Sequence, residues 1–324
     1  MSASCVVGVD LGGTKALAGA IDADLQVHHR ARREMAGLDQ STVVSAVVEA
    51  VSEVREASPV EIEAVGFGIP CLIDQRTGTA VMAVNLPISD FPLRDVMAER
   101  LGLPVFVDND ANVAALAEHR FGAARGTRYS VTLTIGTGIG GGMVLDGKLY
   151  HGYAGAGAEL GHMVIDLNGP PCQGNCPNHG CLETMASGTA LAREARAFAE
   201  ANPSSNLGGA LTAGRELNGH YITEMAHDGD VDAVALIALV GRRLGVGLAN
   251  YVNIFNPEVI VIGGGLIAAG ELLLTPAREE MERRALPFPR DLVRVEAAHF
   301  GSDAGLIGAA ALAFDGLEDR QTVI

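Results

Sequence analysis

One glycine-rich segment holds most of the side chains that could bind a metal. Between Gly155 and Gly188 the chain places two glutamates, two histidines and three of its five cysteines. His162, Cys172, Cys176 and Cys181 together form a Cys3His set, which is typical of closed, tetrahedral structural zinc. The cysteine spacings are looser than those of common zinc fingers, so His179 stays open as an alternative ligand, and buried free thiols stay open as an alternative to zinc.

A first glycine-rich turn follows the opening apolar run. It reads Asp10-Leu11-Gly12-Gly13-Thr14-Lys15, and it offers backbone amides without side chains, a hydroxyl and an ammonium beside a carboxylate. Such a turn can approach phosphate oxygens closely. It lacks the spacing of a Walker A loop. The alternative is a plain hairpin turn whose glycines only relieve backbone strain.

A second turn of the same character spans Gly136 to Gly142 and includes Thr137 and Gly138. Two such turns facing one another would hold a polyphosphate such as ATP. The alternative is tight strand packing, because the chain contains 41 glycines. Gly264 and Gly265 lack the dinucleotide spacing and are interpreted as a flat surface beside an adenosine.

Asp110 is the candidate catalytic base. It lies where the predicted strand Val105 to Val107 gives way to a helix, and a helix N-terminus favours the ionised carboxylate. Phosphoryl transfer through a loose transition state asks little of its base. Asp108 is a rival for the same role, and capping of the helix is the structural alternative for Asp110.

The elements that must position these residues repeat once along the chain. A strand, glycine turn and strand at Val6 to Ile21 recurs at Val131 to Leu145, which predicts two stacked α/β domains with a cleft between them. The division is placed near Glu118, giving domains of residues 1–118 and 119–303. Further elements are predicted as follows: helices at 43–54, 93–101, 113–119, 231–252 and 303–314, strands at 64–69 and 258–262, and an irregular stretch at 83–92.

Composition excludes several classes of protein. The 324 residues are 48% hydrophobic, with a net charge of -16, which disfavours binding to nucleic acid and to anionic membranes. Arg242 and Arg243 interrupt the longest apolar stretch, so no membrane span is expected. Without a signal peptide, the odd number of cysteines predicts reduced thiols in the cytoplasm, with Cys5 and Cys71 as small core residues.

Taken together, the motifs resemble the ROK family of sugar kinases. The resemblance runs nearly end to end, through DLGGTK at Asp10, NLP at Asn85, NDAN at Asn109, GTGIGGG at Gly136, ELGH at Glu159, GCLETMASG at Gly180, NPEVIVIGGG at Asn256 and AGLIGAA at Ala304. It implies a two-domain actin-like ATPase (ribonuclease H-like) fold, in which the C-terminal helix, residues 304–324, returns to the first domain.

The resemblance also implies an activity, ATP-dependent phosphorylation of glucose to glucose 6-phosphate. Asp110 would be the base, and a sugar pocket would contain Asn85, Asn109, Asp110, Glu159, His162 and Glu183. ATP would bind both turns and Gly264-Gly265, with Mg²⁺ near Asp10, structural zinc, and a homodimer or homotetramer. Fructose, mannose or an N-acetylhexosamine stays open as the acceptor. A sugar-sensing regulator without catalysis is the alternative from another class, although its N-terminal DNA-binding domain would have no room before Asp10.

Overall fold

The computed structural model describes residues 4–83 and 85–322. Contacts divide these residues into two compact units, one of residues 4–126, 142–158 and 302–322, the other of residues 127–141 and 159–301. The predicted division at Glu118 falls inside a helix of the first unit and stays a prediction. Residues 1–3 and 323–324 of the predicted first domain, and Val84 of the predicted irregular stretch, lie outside the described residues.

The first 126 residues contain eight strands and three helices among those described. In chain order these are β1 (Cys5–Leu11), β2 (Lys15–Asp22), β3 (Val27–Glu34), α1 (Gln40–Ala57), β4 (Ile62–Ile69), β5 (Cys71–Asp74), β6 (Thr79–Ala83), β7 (Ser89–Phe91), α2 (Leu93–Leu101), β8 (Val105–Asn109) and α3 (Asp110–Phe121).

Five of these strands form one mixed sheet in the order β3-β2-β1-β4-β8. Strands β1 and β2 are antiparallel, which confirms the predicted hairpin, whereas β4 runs parallel to both β1 and β8. Helix α1 buries a row of valines at helical spacing, and the Asp39 side chain caps it by accepting from the Thr42 amide. The carboxyl ends of β1 and β8 therefore deliver Asp10 and Asp108 to the same edge of the sheet.

The remaining residues contain the second set of elements. In chain order these are β9 (Ser130–Ile135), β10 (Ile139–Leu145), β11 (Lys148–Leu149), α4 (Leu182–Ala186), α5 (Gly188–Ala201), α6 (Asn206–Thr212), α7 (Gly219–His227), α8 (Val231–Phe255), β12 (Val259–Gly263), α9 (Glu271–Arg284), α10 (Pro287–Arg290), β13 (Arg294–Ala297) and α11 (Ala304–Thr322). The second sheet has the order β11-β10-β9-β12-β13, so the predicted repeat of strand, turn and strand is confirmed.

The second glycine turn is shorter than predicted. Strand β10 begins at Ile139, so the turn ends at Gly138 and the later glycines belong to the strand. A Cβ added at Gly142 would lie 2.5 Å from the Ala115 Cβ and 2.7 Å from the Ala111 carbonyl oxygen. Gly142 therefore allows β10 to pack closely against α3, so at this position tight packing, the alternative interpretation, explains the glycine.

Two further expectations needed correction. The stretch predicted as irregular contains β7, which pairs with β6 in a small three-stranded sheet of order β5-β6-β7. Strand β3 was not predicted, because its sequence VHHRARRE buries only Ala31 and carries charges typical of an edge strand.

Helix α8 is confirmed, and Arg243 in it pairs with Glu194 at 2.9 Å. No helix among the described residues is long and apolar enough to cross a membrane.

Candidate active site

The first glycine turn lies between β1 and β2 and contains two consecutive amides that could bind a ligand. The Gly12 amide donates to the Lys15 carbonyl oxygen at 2.9 Å. The next two amides, of Gly13 and Thr14, have no acceptor within the described part of the chain. A Cβ at Gly13 would lie 2.6 Å from the Asn85 carbonyl oxygen, so only glycine allows this approach. The predicted sugar residue Asn85 thus lies against the first turn.

The second turn, between β9 and β10, repeats this arrangement. The Gly136 amide donates to the Gly138 carbonyl oxygen at 2.9 Å, which closes the turn. The amides of Thr137 and Gly138 have no acceptor among residues 4–83 and 85–322. Pairs of adjacent amides without acceptors form concave anion sites. Each turn therefore offers the chemistry of a phosphate cradle.

Gly264 and Gly265 follow β12, next to the second turn. Gly264 has φ 85° and ψ 178°, and an added Cβ would lie 2.4 Å from the Ile135 amide nitrogen. Gly265 is exposed, and a Cβ there would meet no atom within 4 Å. The first glycine is thus required by packing, whereas the second presents an open surface.

Asp110 is the first residue of α3, half-buried, with its Oδ1 accepting from the Ala111 amide at 2.9 Å. The predicted alternative, capping by Asp110, is wrong because the cap is Asn109, whose Oδ1 accepts from the Ala111 and Asn112 amides. Asn109 Nδ2 also donates to the Cys71 carbonyl oxygen at 3.3 Å. Helix α3 therefore holds Asp110 at its positive end without using it as the cap.

Asp10 and Asp110 lie close enough to influence one another. Burial and, after it, the negative charge of Asp110 raise the pKa of Asp10 to about 6, while Lys15 opposes the shift. A Cβ at Gly305, in the first turn of α11, would lie 2.7 Å from the Asp10 carboxyl carbon, so α11 packs directly on this side chain. Two adjacent carboxylates with hard oxygen donors are a fitting environment for Mg²⁺.

The rival base, Asp108, is fully engaged in structural hydrogen bonds. It is 1% exposed, its Oδ1 accepts from the Asn109 amide at 2.7 Å and from Asn112 Nδ2 at 2.9 Å, and its Oδ2 lies 2.6 Å from His151 Nε2. Burial lowers the pKa of His151, but the hydrogen bond to Asp108 and its charge outweigh burial and raise that pKa. The sequence reasoning missed His151, because 43 residues separate it from Asp108 and no local pattern links them.

The cysteine-rich segment brings its predicted ligands together. One ligand atom from each of His162, Cys172, Cys176 and Cys181 lies within 4.8 Å of the others. The two sulfurs of Cys176 and Cys181 are 3.9 Å apart, and Cys172 Sγ is 3.5 Å from His162 Nδ1. Regular tetrahedral zinc requires about 3.8 Å between sulfurs and about 3.6 Å between sulfur and nitrogen. The residues present therefore fit a metal of this kind.

The alternative ligand, His179, and the two core cysteines lie outside the metal-binding set. His179 Nδ1 lies 3.3 Å from the Gly169 carbonyl oxygen, and the metal-binding set is complete without this histidine. Cys5 and Cys71 are buried free thiols, as predicted.

Two predicted sugar residues lie beside the metal-binding set. His162 directs Nδ1 toward Cys172, and its Nε2 lies 4.0 Å from Glu159 Oε2. Nδ1 is thus placed to bind the metal, while Nε2 lies on the side of Glu159, the other predicted sugar residue, so one histidine can serve both predicted roles. The hydroxyl of Tyr251 donates to the Leu160 carbonyl oxygen at 2.7 Å and fixes the short helical turn between Glu159 and His162.

Glu183, also predicted for the sugar pocket, contacts the second turn. Its Oε2 accepts from the Ile139 amide at 2.8 Å. Each of the two five-stranded sheets includes two neighbouring strands joined by a glycine turn, with a parallel strand beside the first of them. This sheet arrangement carries Asp10 and Asp110 in one unit and, in each unit, a glycine turn with amides unpaired among the described residues. It defines the class of protein, which is the two-domain actin-like ATPase fold.

Comparison with known proteins gives the family. The model of the ROK family matches residues 6–315. A glucokinase of Thermotoga maritima is 38% identical over 309 residues, which cover 95% of this chain and 96% of that protein. A putative xylose repressor of a Caldicellulosiruptor species is 33% identical, with 85% of this chain and 69% of the repressor covered.

A solved structure gives the same answer. The crystal structure of a ROK family glucokinase from Streptomyces griseus, in complex with glucose and AMPPNP, superposes with a TM-score of 0.83 at 37% identity. The match covers 97% of this chain and all of that one. The chain belongs to the ROK family.

Proposed function

We propose that this protein transfers the γ-phosphoryl group of ATP to the 6-hydroxyl of glucose. The single observation that carries the proposal is the pair of glycine turns, each with two adjacent amides that lack an acceptor in the described residues. Two phosphate cradles suit a polyphosphate donor better than a single anion. Glucose is proposed as the acceptor because glucokinases match nearly the full length of this chain.

Asp110 is the proposed base that accepts the proton of the sugar hydroxyl. The positive end of α3 favours a negative charge at this position, and the loose transition state of phosphoryl transfer does not demand a strong base. Asp108 is not proposed, because its buried carboxylate already binds three partners. The sugar would be held by Asn85, Asn109, Glu159, His162 and Glu183, whose amide, imidazole and carboxylate groups pair with hydroxyls.

The nucleotide would be held by both turns. Gly12, Gly13, Thr14, Lys15, Thr137 and Gly138 would bind the phosphates through amides, hydroxyls and one ammonium, and the open surface at Gly265, beside Gly264, would receive the adenosine. Asp10 would hold Mg²⁺, which when bound neutralises charge on the phosphates. The Asp10 side chain is held in position by its place in β1 and by the close packing of α11.

The Cys3His set is proposed to bind structural zinc, which orders the segment from His162 to Cys181. The test is metal content by mass spectrometry of the purified protein, for wild type and for Cys176→Ser. We expect one zinc per chain in the wild type and a loss in the variant. The control Cys71→Ser removes a cysteine outside the set and should retain zinc. A protein purified without zinc, yet with intact fold and activity, would contradict this assignment.

A homodimer is proposed, formed in the cytoplasm where ATP and reduced thiols coexist. Ile254, Leu286, Phe288 and Leu292 are exposed large apolar side chains near the end of α8 and around α10. Residues close to them in sequence, Glu282, Arg283, Arg290 and Asp291, carry charges of both signs and line one surface pocket. A two-fold interface brings the same surface of two copies together, and charges of both signs allow such a surface to complement itself. Light scattering should give a dimer for wild type and for the control Val231→Ser, and a monomer for Phe288→Ser; a dimeric Phe288→Ser protein would refute this interface.

The activity is tested with a panel of sugars in a coupled assay. Glucose, fructose, mannose, N-acetylglucosamine and N-acetylmannosamine are each supplied with MgATP, and ADP formation is measured together with glucose 6-phosphate. We expect glucose to give the highest kcat/KM and glucose 6-phosphate as the product. Absence of turnover with every sugar would leave the sensor class as the better account.

A further inference from the structure

The second glycine turn is held by three contacts from outside the turn. The Gly188 amide donates to the Gly136 carbonyl oxygen at 2.8 Å, and Thr189 Oγ1 donates to the Thr137 carbonyl oxygen at 2.7 Å. The third contact is the Ile139 amide, which donates to Glu183 Oε2 at 2.8 Å. Because these bonds fix the peptide planes around Thr137 and Gly138, they also fix the direction of the two free amides.

Glu183 is packed against the turn as well as bonded to it. A Cβ added at Gly138 would lie 2.2 Å from Glu183 Oε2 and 3.0 Å from its carboxyl carbon. A glycine at this position therefore leaves the space that the carboxylate occupies. The hydrogen bond is assisted by the charge of the carboxylate and is half-buried, which places it among the stronger contacts of its kind.

The other oxygen of the same side chain is available. Glu183 Oε1 has no hydrogen-bond partner within the described portions of the chain, and the residue belongs to the predicted sugar pocket. Ile139 is approached from a second side by the segment that carries Glu159 and His162, since a Cβ at Gly161 would lie 2.1 Å from the Ile139 carbonyl oxygen. The backbone of Ile139 thus contacts two segments predicted to bind sugar.

We infer that Glu183 is a positioning residue for the nucleotide, acting through the Ile139 amide on the Thr137–Gly138 turn while its second oxygen faces the sugar. The inference rests on the proposed function. It adds a consequence, because one carboxylate that serves both ligands couples their affinities. Glucose that binds Oε1 orders Glu183 and the Thr137–Gly138 turn, which raises the affinity of the turn for phosphate. The nucleotide, by ordering the turn and Glu183, raises the affinity for glucose in return.

Two substitutions separate the contact from the charge. Glu183→Asp keeps the charge but is one methylene too short to hold the Ile139 amide at the same position. Glu183→Gln loses the charge but keeps an oxygen that accepts from this amide. Thr189→Val is the matched control, since it removes another contact to the turn without touching the sugar residues.

The experiment measures dissociation constants by calorimetry for glucose alone, AMPPNP with Mg²⁺ alone, and each in the presence of the other. For wild type we expect each ligand to tighten the other several-fold. Glu183→Asp should weaken AMPPNP about 10-fold or more, the range of a lost charged hydrogen bond, and should abolish the coupling. Glu183→Gln should keep AMPPNP affinity within about 3-fold of wild type, below the loss expected for a broken contact. Thr189→Val should weaken AMPPNP and preserve the coupling.

Two outcomes would overturn the inference. In one, both Glu183 variants weaken glucose only, with AMPPNP affinity and coupling unchanged. In the other, AMPPNP affinity follows the charge, so that Gln alters it and Asp does not. Failure of the proposed function is distinct, because wild type would then fail to bind glucose, AMPPNP or both, whereas failure of the inference leaves both wild-type affinities intact. Thermal unfolding of each variant confirms that the binding data come from folded protein.

Discussion

The adjacent glycines at 264 and 265 should respond in opposite ways to the same substitution. Gly264 occupies backbone angles of 85° and 178°, a region populated essentially by glycine alone, and occupying it with alanine costs about 1–3 kcal/mol. The new Cβ would also lie 2.4 Å from the Ile135 nitrogen and 2.5 Å from its carbonyl oxygen, and such overpacking costs about 1–3 kcal/mol more. Gly264→Ala should therefore lose about 2–6 kcal/mol of unfolding free energy, out of a typical 5–15.

Gly265→Ala is the internal control for stability. The added methyl meets no atom within 4 Å, so the unfolding free energy should change by about 0.5 kcal/mol or less. Because this glycine is proposed to face the adenosine, the KM for ATP should rise while the KM for glucose stays constant. Urea unfolding followed by circular dichroism, together with steady-state kinetics, measures both effects. Equal stability of the two variants would refute the packing argument.

Two further substitutions test other contacts of the account. Tyr251→Phe removes one of the two donors of the buried Leu160 carbonyl oxygen, which keeps only the Met163 amide at 3.3 Å, and should cost about 0.5–1.5 kcal/mol in urea unfolding. Tyr150→Phe, at an exposed tyrosine, should cost little, and equal losses in the two variants would contradict this. His151→Gln keeps a donor for Asp108 but cannot carry a charge. Because folding raises the pKa of His151, the charged pair stabilises the wild type below the ordinary histidine pKa and loses this contribution as pH rises through the folded value. The advantage of wild type over His151→Gln in urea unfolding should therefore be larger at pH 6 than at pH 9, and a pH-independent gap would exclude the charge effect.

Much of the fold follows from local sequence signals. The apolar runs at Val6 and Val131, each followed by glycines, predicted both hairpins because buried strands and tight turns have strong compositional signatures. Helix α2 was predicted at its observed ends, Leu93 and Leu101. The metal-binding cluster was also accessible from sequence, since its four residues lie within 20 positions of one another.

The features that escaped prediction depend on tertiary contacts. Strand β3 is stabilised by pairing with β2, whereas its own charged sequence does not favour a strand. The pair of Asp108 and His151 joins two distant segments. The contact of Glu183 with Ile139 was likewise invisible, because the sequence indicated a carboxylate for a sugar but not the backbone amide that it binds.

The most direct test of the central claim is the turnover of Asp110→Asn with glucose and MgATP, measured beside its glucose dissociation constant. A base on α3 that accepts the hydroxyl proton predicts that kcat falls by about 100-fold or more, the usual contribution of general base catalysis, while glucose binding stays within a few-fold of wild type. Turnover close to that of wild type in this variant would contradict the assignment of Asp110 and the mechanism that depends on it.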